Sequence, residues 1–184
     1  MKENSRQQAK KIRLDFAISL SWNESKELEW RQTKSFLEND TVQKVLKEGA
    51  RVAVYYPLKE ECPTHFLIET LQKNKIPLAL PRLMGSGGLV FQSWSVEEEL
   101  VTSSFGIKEP LINAPLVKPA LYIVPLLAYD SNNNRLGSGN GHYDRYFSEY
   151  PLGLKIGWAY PCQHLDGFTV EPHDVSMDFI VAGN

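Results

Sequence analysis

Residues 120–147 constrain the fold of this chain more than any other stretch. Residues 120–128 form an apolar run rich in β-formers, ended by the turn signal Asp130-Ser131 and three asparagines. Arg135-Leu136-Gly137-Ser138-Gly139-Asn140-Gly141 follows, and His142-Tyr143-Asp144-Arg145-Tyr146-Phe147 then reads as a helix start. The order is strand, glycine-rich loop, helix, which is the frame of an α/β sheet with a loop at the carboxyl end of a strand.

That order has a physical use. Alternate glycines permit positive φ and bring backbone N–H groups close to a ligand, and the helix start adds partial positive charge, so the loop suits a phosphate. Arg135 at the entrance offers a fork that matches phosphate oxygens. Asp144 at the exit is suited to a divalent cation bridging those phosphates. The spacing is G-x-G-x-G, which matches neither G-x-x-x-x-G-K-[ST] nor G-x-G-x-x-G. Spacing alone therefore leaves two readings open, a nucleotide loop or a tight turn with a surface arginine and a helix-start acid.

Val124-Pro125, Tyr129-Asp130, Arg135-Leu136-Gly137, Gly139, Gly141 and Tyr143-Asp144-Arg145 together resemble the signature of the 5-formyltetrahydrofolate cyclo-ligase family, also called methenyltetrahydrofolate synthetase. The resemblance extends to Glu60-Glu61-Cys62-Pro63-Thr64, to Phe105-Gly106-Ile107-Lys108-Glu109-Pro110, and to His173-Asp174, in the family's order. It implies an enzyme that uses ATP and Mg²⁺ to close 5-formyltetrahydrofolate to 5,10-methenyltetrahydrofolate. In that chemistry the γ-phosphoryl group passes to the formyl oxygen, N10 attacks the activated carbon, and phosphate leaves.

The resemblance also assigns residues. Catalysis falls to Arg135, His142 and Tyr143. ATP falls to Arg6, Lys10, Arg135, Leu136, Gly137, Ser138, Gly139, Asn140, Gly141, His142 and Tyr143, with Lys2 and Arg6, which have the same spacing of four, as the other register of the basic pair on the first helix. The folate falls to Tyr56, Glu61, Phe105 and His142, and Mg²⁺ to Asp144 and Asp174. The chain departs from the family pattern at Leu126, where glycine is usual, at Tyr129, where phenylalanine is usual, and at His142, where tyrosine is frequent. An imidazole there can donate or accept a hydrogen bond beside the folate. His173, one histidine beside an aspartate in a loop, reads as structural.

Elsewhere the pattern predicts helices over residues 2–20, 24–37 and 41–47, the second capped by residues 21–23. A strand at 51–56, a helix through about 72 and a strand at 76–80 closed by Pro81-Arg82 follow. This rhythm predicts a parallel sheet with helices on its faces. Residues 85–88 read as a hairpin turn before a strand at 89–94, residues 97–99 as a solvated helix turn, and 111–119 as a connecting loop. Strands at 154–159 and toward the C-terminus complete the set. Charge pattern alone favours a solvated face for Arg6, Lys10, Lys11 and Arg13, and helix-start acid is the commoner role for a residue placed like Glu61.

With 184 residues the chain fits one domain, a helical part at 1–48 and a sheet with the loop at 49–184. The expected class is α/β, a single three-layer domain with a mostly parallel central sheet in the sugar-isomerase and CoA-transferase-like layout. The net charge of −2 and pI near 6.1 carry no nucleic-acid footprint. Cys62 and Cys162 have no metal spacing, residues 1–11 are too polar for a signal peptide, and no apolar run approaches the roughly 18 residues of a membrane span. A cytoplasmic monomer with small-molecule partners is expected. Two rivals share the layout. One is a sugar-phosphate isomerase-type enzyme using the loop without ATP, the other a non-catalytic folate- or nucleotide-binding relative.

Overall fold

A computed structural model of the chain describes residues 2–85, 87–104 and 106–183. Three helices come first: α1 (Lys2–Ser19), α2 (Trp22–Glu38) and α3 (Asp40–Lys47). Helix α2 begins where Ser21 Oγ accepts from the Glu24 N–H while the Glu24 carboxylate accepts from the Ser21 N–H at 2.8 Å, so two orphan donors are satisfied at once. Asn39 ends α2 and caps α3 through the Val42 N–H.

The sheet then assembles from β1 (Val52–Ala53), α4 (His65–Lys73), β2 (Leu78–Leu83), β3 (Leu89–Trp94), the small hairpin β4 (Leu100–Thr102) and β5 (Lys108–Pro110), β6 (Leu116–Val117) and β7 (Leu121–Pro125). A second small hairpin, β8 (Ala128–Tyr129) with β9 (Arg135–Leu136), leads into α5 (His142–Glu149), β10 (Leu154–Trp158) and β11 (Phe179–Val181). Seven strands share one sheet in the order β11-β10-β7-β1-β2-β3-β6. The first five are parallel, β3 runs antiparallel to β2, and β6 runs antiparallel to β3 and so in the direction of the first five. Among the described residues no helix is long and apolar enough to cross a membrane.

Strict alternation along the central strands makes the three layers. Val52, Val54, Leu78, Leu80, Leu121, Ile123 and Ile156 pack toward Phe36 of α2, Val42 of α3 and Leu67, Ile68 and Leu71 of α4. The opposite face carries Ala53, Ala79, Tyr122 and Val124 under Tyr146 and Phe147 of α5. Small residues there leave room for an aromatic cluster in which Phe91, Tyr122, Tyr146 and Phe147 meet edge to face.

Several expected boundaries move. Strand β2 does not close at Pro81 but runs through it to Leu83. The bond from the Val54 N–H to the Ala79 carbonyl is the last toward β1, since Pro81 has no N–H to donate the next, while pairing with β3 continues to Leu83. Residues 116–117, expected in a loop, pair with β3. Arg135 and Leu136 belong to a hairpin rather than to the loop proper. Asp130 shapes its turn by accepting from the Asn132 and Asn134 N–H groups and from the Asn134 amide. Residues 97–99 form a turn, not a helix, with Glu98 accepting from the Ser95 N–H. In α1 the apolar residues Leu14 and Ile18 face solvent, while Arg13 is buried beside Ala9.

Candidate active site

The loops at the carboxyl ends of β1, β2 and β7, the glycine loop and the inner face of α1 enclose a cavity of about 410 Å³. Its walls hold Arg135, the loop from Gly137 to Tyr143, Asp144 and Asp174 at one end, and Tyr56 and Glu61 at the other.

The glycines of the loop serve two different needs. Gly139 and Gly141 take φ of 109° and 63°, and Gly141 is the N-cap of α5. Gly137 does not have positive φ. A Cβ there would lie 2.7 Å from Arg135 Nη1, so this glycine makes room for the guanidinium. Arg135 is 7% exposed, donates to Asp144 Oδ1 at 2.8 Å and lies over the Tyr143 ring, while its Nε has no partner. Burial, with Glu61 adding to it, pushes the Tyr143 phenol up and keeps it protonated.

His142 and Arg145 tie the loop to the β2–β3 connection. His142 Nδ1 lies 2.9 Å from the Gly87 carbonyl and 3.1 Å from Arg145 Nη2. Arg145 donates to the same carbonyl and to the Asn140 carbonyl.

Helix α1 turns cations inward. Lys2, Arg6, Lys10 and Arg13, at spacings of four, four and three, share one face and line the cavity. Arg6 donates to the Gly137 carbonyl at 3.3 Å and stacks beside Gly139. Lys10 sits exposed at the rim. Lys2 Nζ reaches Glu171 Oε2 and Asp174 Oδ2, both at 2.6 Å. Burial works against the Lys2 charge, but its bonds to the two acids raise its pKa overall. Burial likewise works to raise Asp174, and the Lys2 ammonium with the Glu171 N–H outweighs it and leaves the carboxyl below the usual range.

The other end is drier. Glu61 Oε2 accepts from the Leu58 N–H at 2.9 Å, and Oε1 stands 3.9 Å from Arg13 Nη1. Burial pushes the Glu61 carboxyl up, with the Leu58 N–H and Arg13 opposing. Tyr55 and Tyr56 leave β1 here, where Tyr56 meets His65 edge on. Gln163 is 2% exposed and fixes the facing wall by donating to the Leu126 and Leu127 carbonyls at 2.7 and 3.0 Å.

Nearly every residue singled out by sequence therefore meets at one cavity. Leu136 is the exception: it is fully buried with Ala9, Leu127 and Ala128, and its side chain anchors the loop without reaching the ligand space. Phe105 lies outside the described residues. The solvated-face reading holds for the exposed Lys11 and fails for Arg6 and Arg13. Both registers of the helix pair, Arg6 with Lys10 and Lys2 with Arg6, line the cavity, whereas Glu60, Arg13 and Glu171 were missed.

For a divalent cation the fit is good. Asp144 and Asp174 are hard oxygen donors at the loop end of the cavity, and Asp144 Oδ1 already accepts from the Val175 N–H, one residue from Asp174. Glu171, His173 and Asp174 bring their ligand atoms within 4.8 Å of one another. His173 is an exposed residue at the rim, 3.4 Å from Glu171.

A family model described as the 5-formyltetrahydrofolate cyclo-ligase family matches residues 5–183. The 5-formyltetrahydrofolate cyclo-ligase of Haemophilus influenzae is 30% identical over 145 residues, 74% of this chain and 78% of that protein. The enzyme of the same name from Escherichia coli K12 is 32% identical over 138 residues, 71% of this chain and 76% of that one. Among solved structures, 5,10-methenyltetrahydrofolate synthetase from Aquifex aeolicus matches with a TM-score of 0.77 at 27% identity, over 97% of this chain and 89% of that one. The Mycoplasma pneumoniae synthetase, at TM-score 0.72 and 24% identity over 97% of this chain and 99% of that one, shares the fold.

Proposed function

The chain belongs to the 5-formyltetrahydrofolate cyclo-ligase family, and from that premise we propose that it closes 5-formyltetrahydrofolate to 5,10-methenyltetrahydrofolate, releasing ADP and phosphate from ATP. The observation that carries this reading is the meeting, in one cavity, of a glycine loop with inward-facing cations and a drier pocket holding Tyr56 and Glu61. Phosphoryl transfer asks a protein mainly to position two substrates and to neutralise charge. The loop N–H groups and the start of α5 bind the phosphates, with Arg6 and Arg135 reaching the transferring group and Lys10 at the rim.

Tyr56 and Glu61 orient the folate, and His142, fixed by Gly87, borders both substrates. Asp144 and Asp174 would hold Mg²⁺, which would supply charge neutralisation for the transfer. Lys2 and Arg135 pair with these two acids and hold them in place at the loop end. No covalent nucleophile takes part. Turnover depends on Arg135, the three glycines and Asp144, and the chain keeps them all. A cytoplasmic location is part of the reading, supported by the free thiols of Cys62 and Cys162.

The test mixes purified protein with 5-formyltetrahydrofolate, ATP and Mg²⁺ and follows the near-ultraviolet absorbance of the methenyl product. Product is expected only with ATP, and not with Asp144→Ala. Binding of both ligands by calorimetry without product would instead mark a non-catalytic relative.

A further inference from the structure

Arg13 is a guanidinium with unspent donors at the floor of the cavity. The residue is 7% exposed and lines the cavity from α1. Its polar contacts among the described residues both use Nη1, at 3.5 Å to the Leu126 carbonyl, the outer limit of a hydrogen bond, and at 3.9 Å to Glu61 Oε1. Its Nε is buried without any partner. A charge held this way is costly unless something completes its bonds.

Glu61 is the complementary half. Oε2 is engaged by the Leu58 N–H, while Oε1 has only the long approach of Arg13. Glu60 of the same loop, Tyr55 beside β1 and Tyr143 of α5 also face Glu61, and the Tyr160 hydroxyl donates to its backbone carbonyl. Arg13 is the one cation among them.

We propose that Arg13 is a specificity-determining residue of the folate pocket, donating to the ring carbonyl oxygen of the pterin while Glu61 accepts from the adjacent ring N–H and amino group. The inference rests on the folate reading above. A pterin presents acceptor, donor, donor along that edge, and the cavity floor presents donors followed by a carboxylate. Contact with ATP phosphates is disfavoured by position. At 1.5 Å per residue Arg13 lies about 10 Å along α1 from Arg6, beyond the glycine loop and against Leu126 and Glu61.

The test compares calorimetric binding of 5-formyltetrahydrofolate with that of its 2,4-diamino analogue, in which an amino donor replaces the carbonyl acceptor. The full chain is used as wild type, Arg13→Met and Arg13→Lys, with ATP KM and methenyl formation measured alongside. Wild type is expected to prefer the carbonyl ligand by about 100-fold or more, as sites built on a hydrogen bond do. Arg13→Met should bring that preference to within about threefold with ATP KM unchanged, and Arg13→Lys should restore part of it.

Equal binding of the two ligands by wild type overturns the proposal, as does an equal loss of both in Arg13→Met or a rise in ATP KM alone. Should Arg13→Met fail to fold, the wild-type preference and its reduction in Arg13→Lys decide. A wild type that prefers the carbonyl ligand yet forms no methenyl product sinks the ligase reading and leaves this assignment standing.

Discussion

At the loop end of the cavity Arg135 closes on Asp144 at 2.8 Å and Lys2 on both Glu171 and Asp174 at 2.6 Å, whereas at the folate end Arg13 and Glu61 stop 3.9 Å apart. The same chemical types respond oppositely. Asp174 is held below the usual carboxylate range by its cation, and Glu61 is pushed above it by burial. The loop end stores its charges in mutual pairs. The other end keeps Arg13 and Glu61 apart in a buried wall. The two ends of one cavity thus hold their charged groups by different electrostatic means.

The largest expected effect breaks the loop end. Arg135→Met should lower kcat by about 10³-fold, because it removes a preorganised cation and leaves Asp144 unpaired. A methenyl-formation rate within tenfold of wild type would reduce the Arg135–Asp144 pair to a structural role.

Glu61→Gln tests the folate end, with a rise in folate KM of about 10-fold or more and no change in ATP KM. It also carries a pH signature. With its folded pKa raised, Glu61 holds a proton in the folded state at pH values where the unfolded chain has lost it. Wild type should therefore lose stability as pH rises from the ordinary carboxylate value of about 4.3 through the folded one. Urea midpoints of Glu61→Gln should lack that decline, and an identical decline in both proteins would remove Glu61 as its source.

Lys2→Met addresses the opposite sign with a smaller effect. Asp174, its pKa depressed, contributes stability above about pH 3.9, the unfolded value, and loses it as pH falls through the folded value. Without Lys2 the depression shrinks, so acid unfolding should begin at a higher pH. Coincident acid-unfolding curves would show that the pair adds nothing to stability.

The smallest effect belongs to the outer face of α1. Ile18 is 70% exposed, and Ile18→Lys should change stability by under about 0.5 kcal/mol and leave turnover as it was. A large loss there would mean that this face is covered in solution.

The contrast between the two faces of α1 also explains what was legible beforehand. Helix starts were readable because caps are local: Ser21 with Glu24, and Asn39 with Val42, act within three residues. The glycine loop and its neighbours were readable because the chain brings Arg135 through Asp144 together by itself. The burial of Arg13 was not, since an inward-facing cation makes sense only once a cavity exists opposite it. The same holds for Pro81 inside a strand, which continues beyond it only through its pairing with β3, and for residues 116–117, which become a strand by meeting β3.

The sequence by itself determined the strand, loop and helix order, the alternation that divides the sheet into two buried faces, and the glycine loop with Arg135 and Asp144 at its ends. Tertiary structure alone decided that the first helix lies across the carboxyl ends of the strands. There it sets Lys2 against Glu171 and Asp174, Arg6 against Gly137, and Arg13 beside Glu61. The physical reason is range. Turns, caps and periodicity are settled by bonds within a few residues, whereas the partners of these cations lie 48 to 172 positions away and depend on how the layers pack.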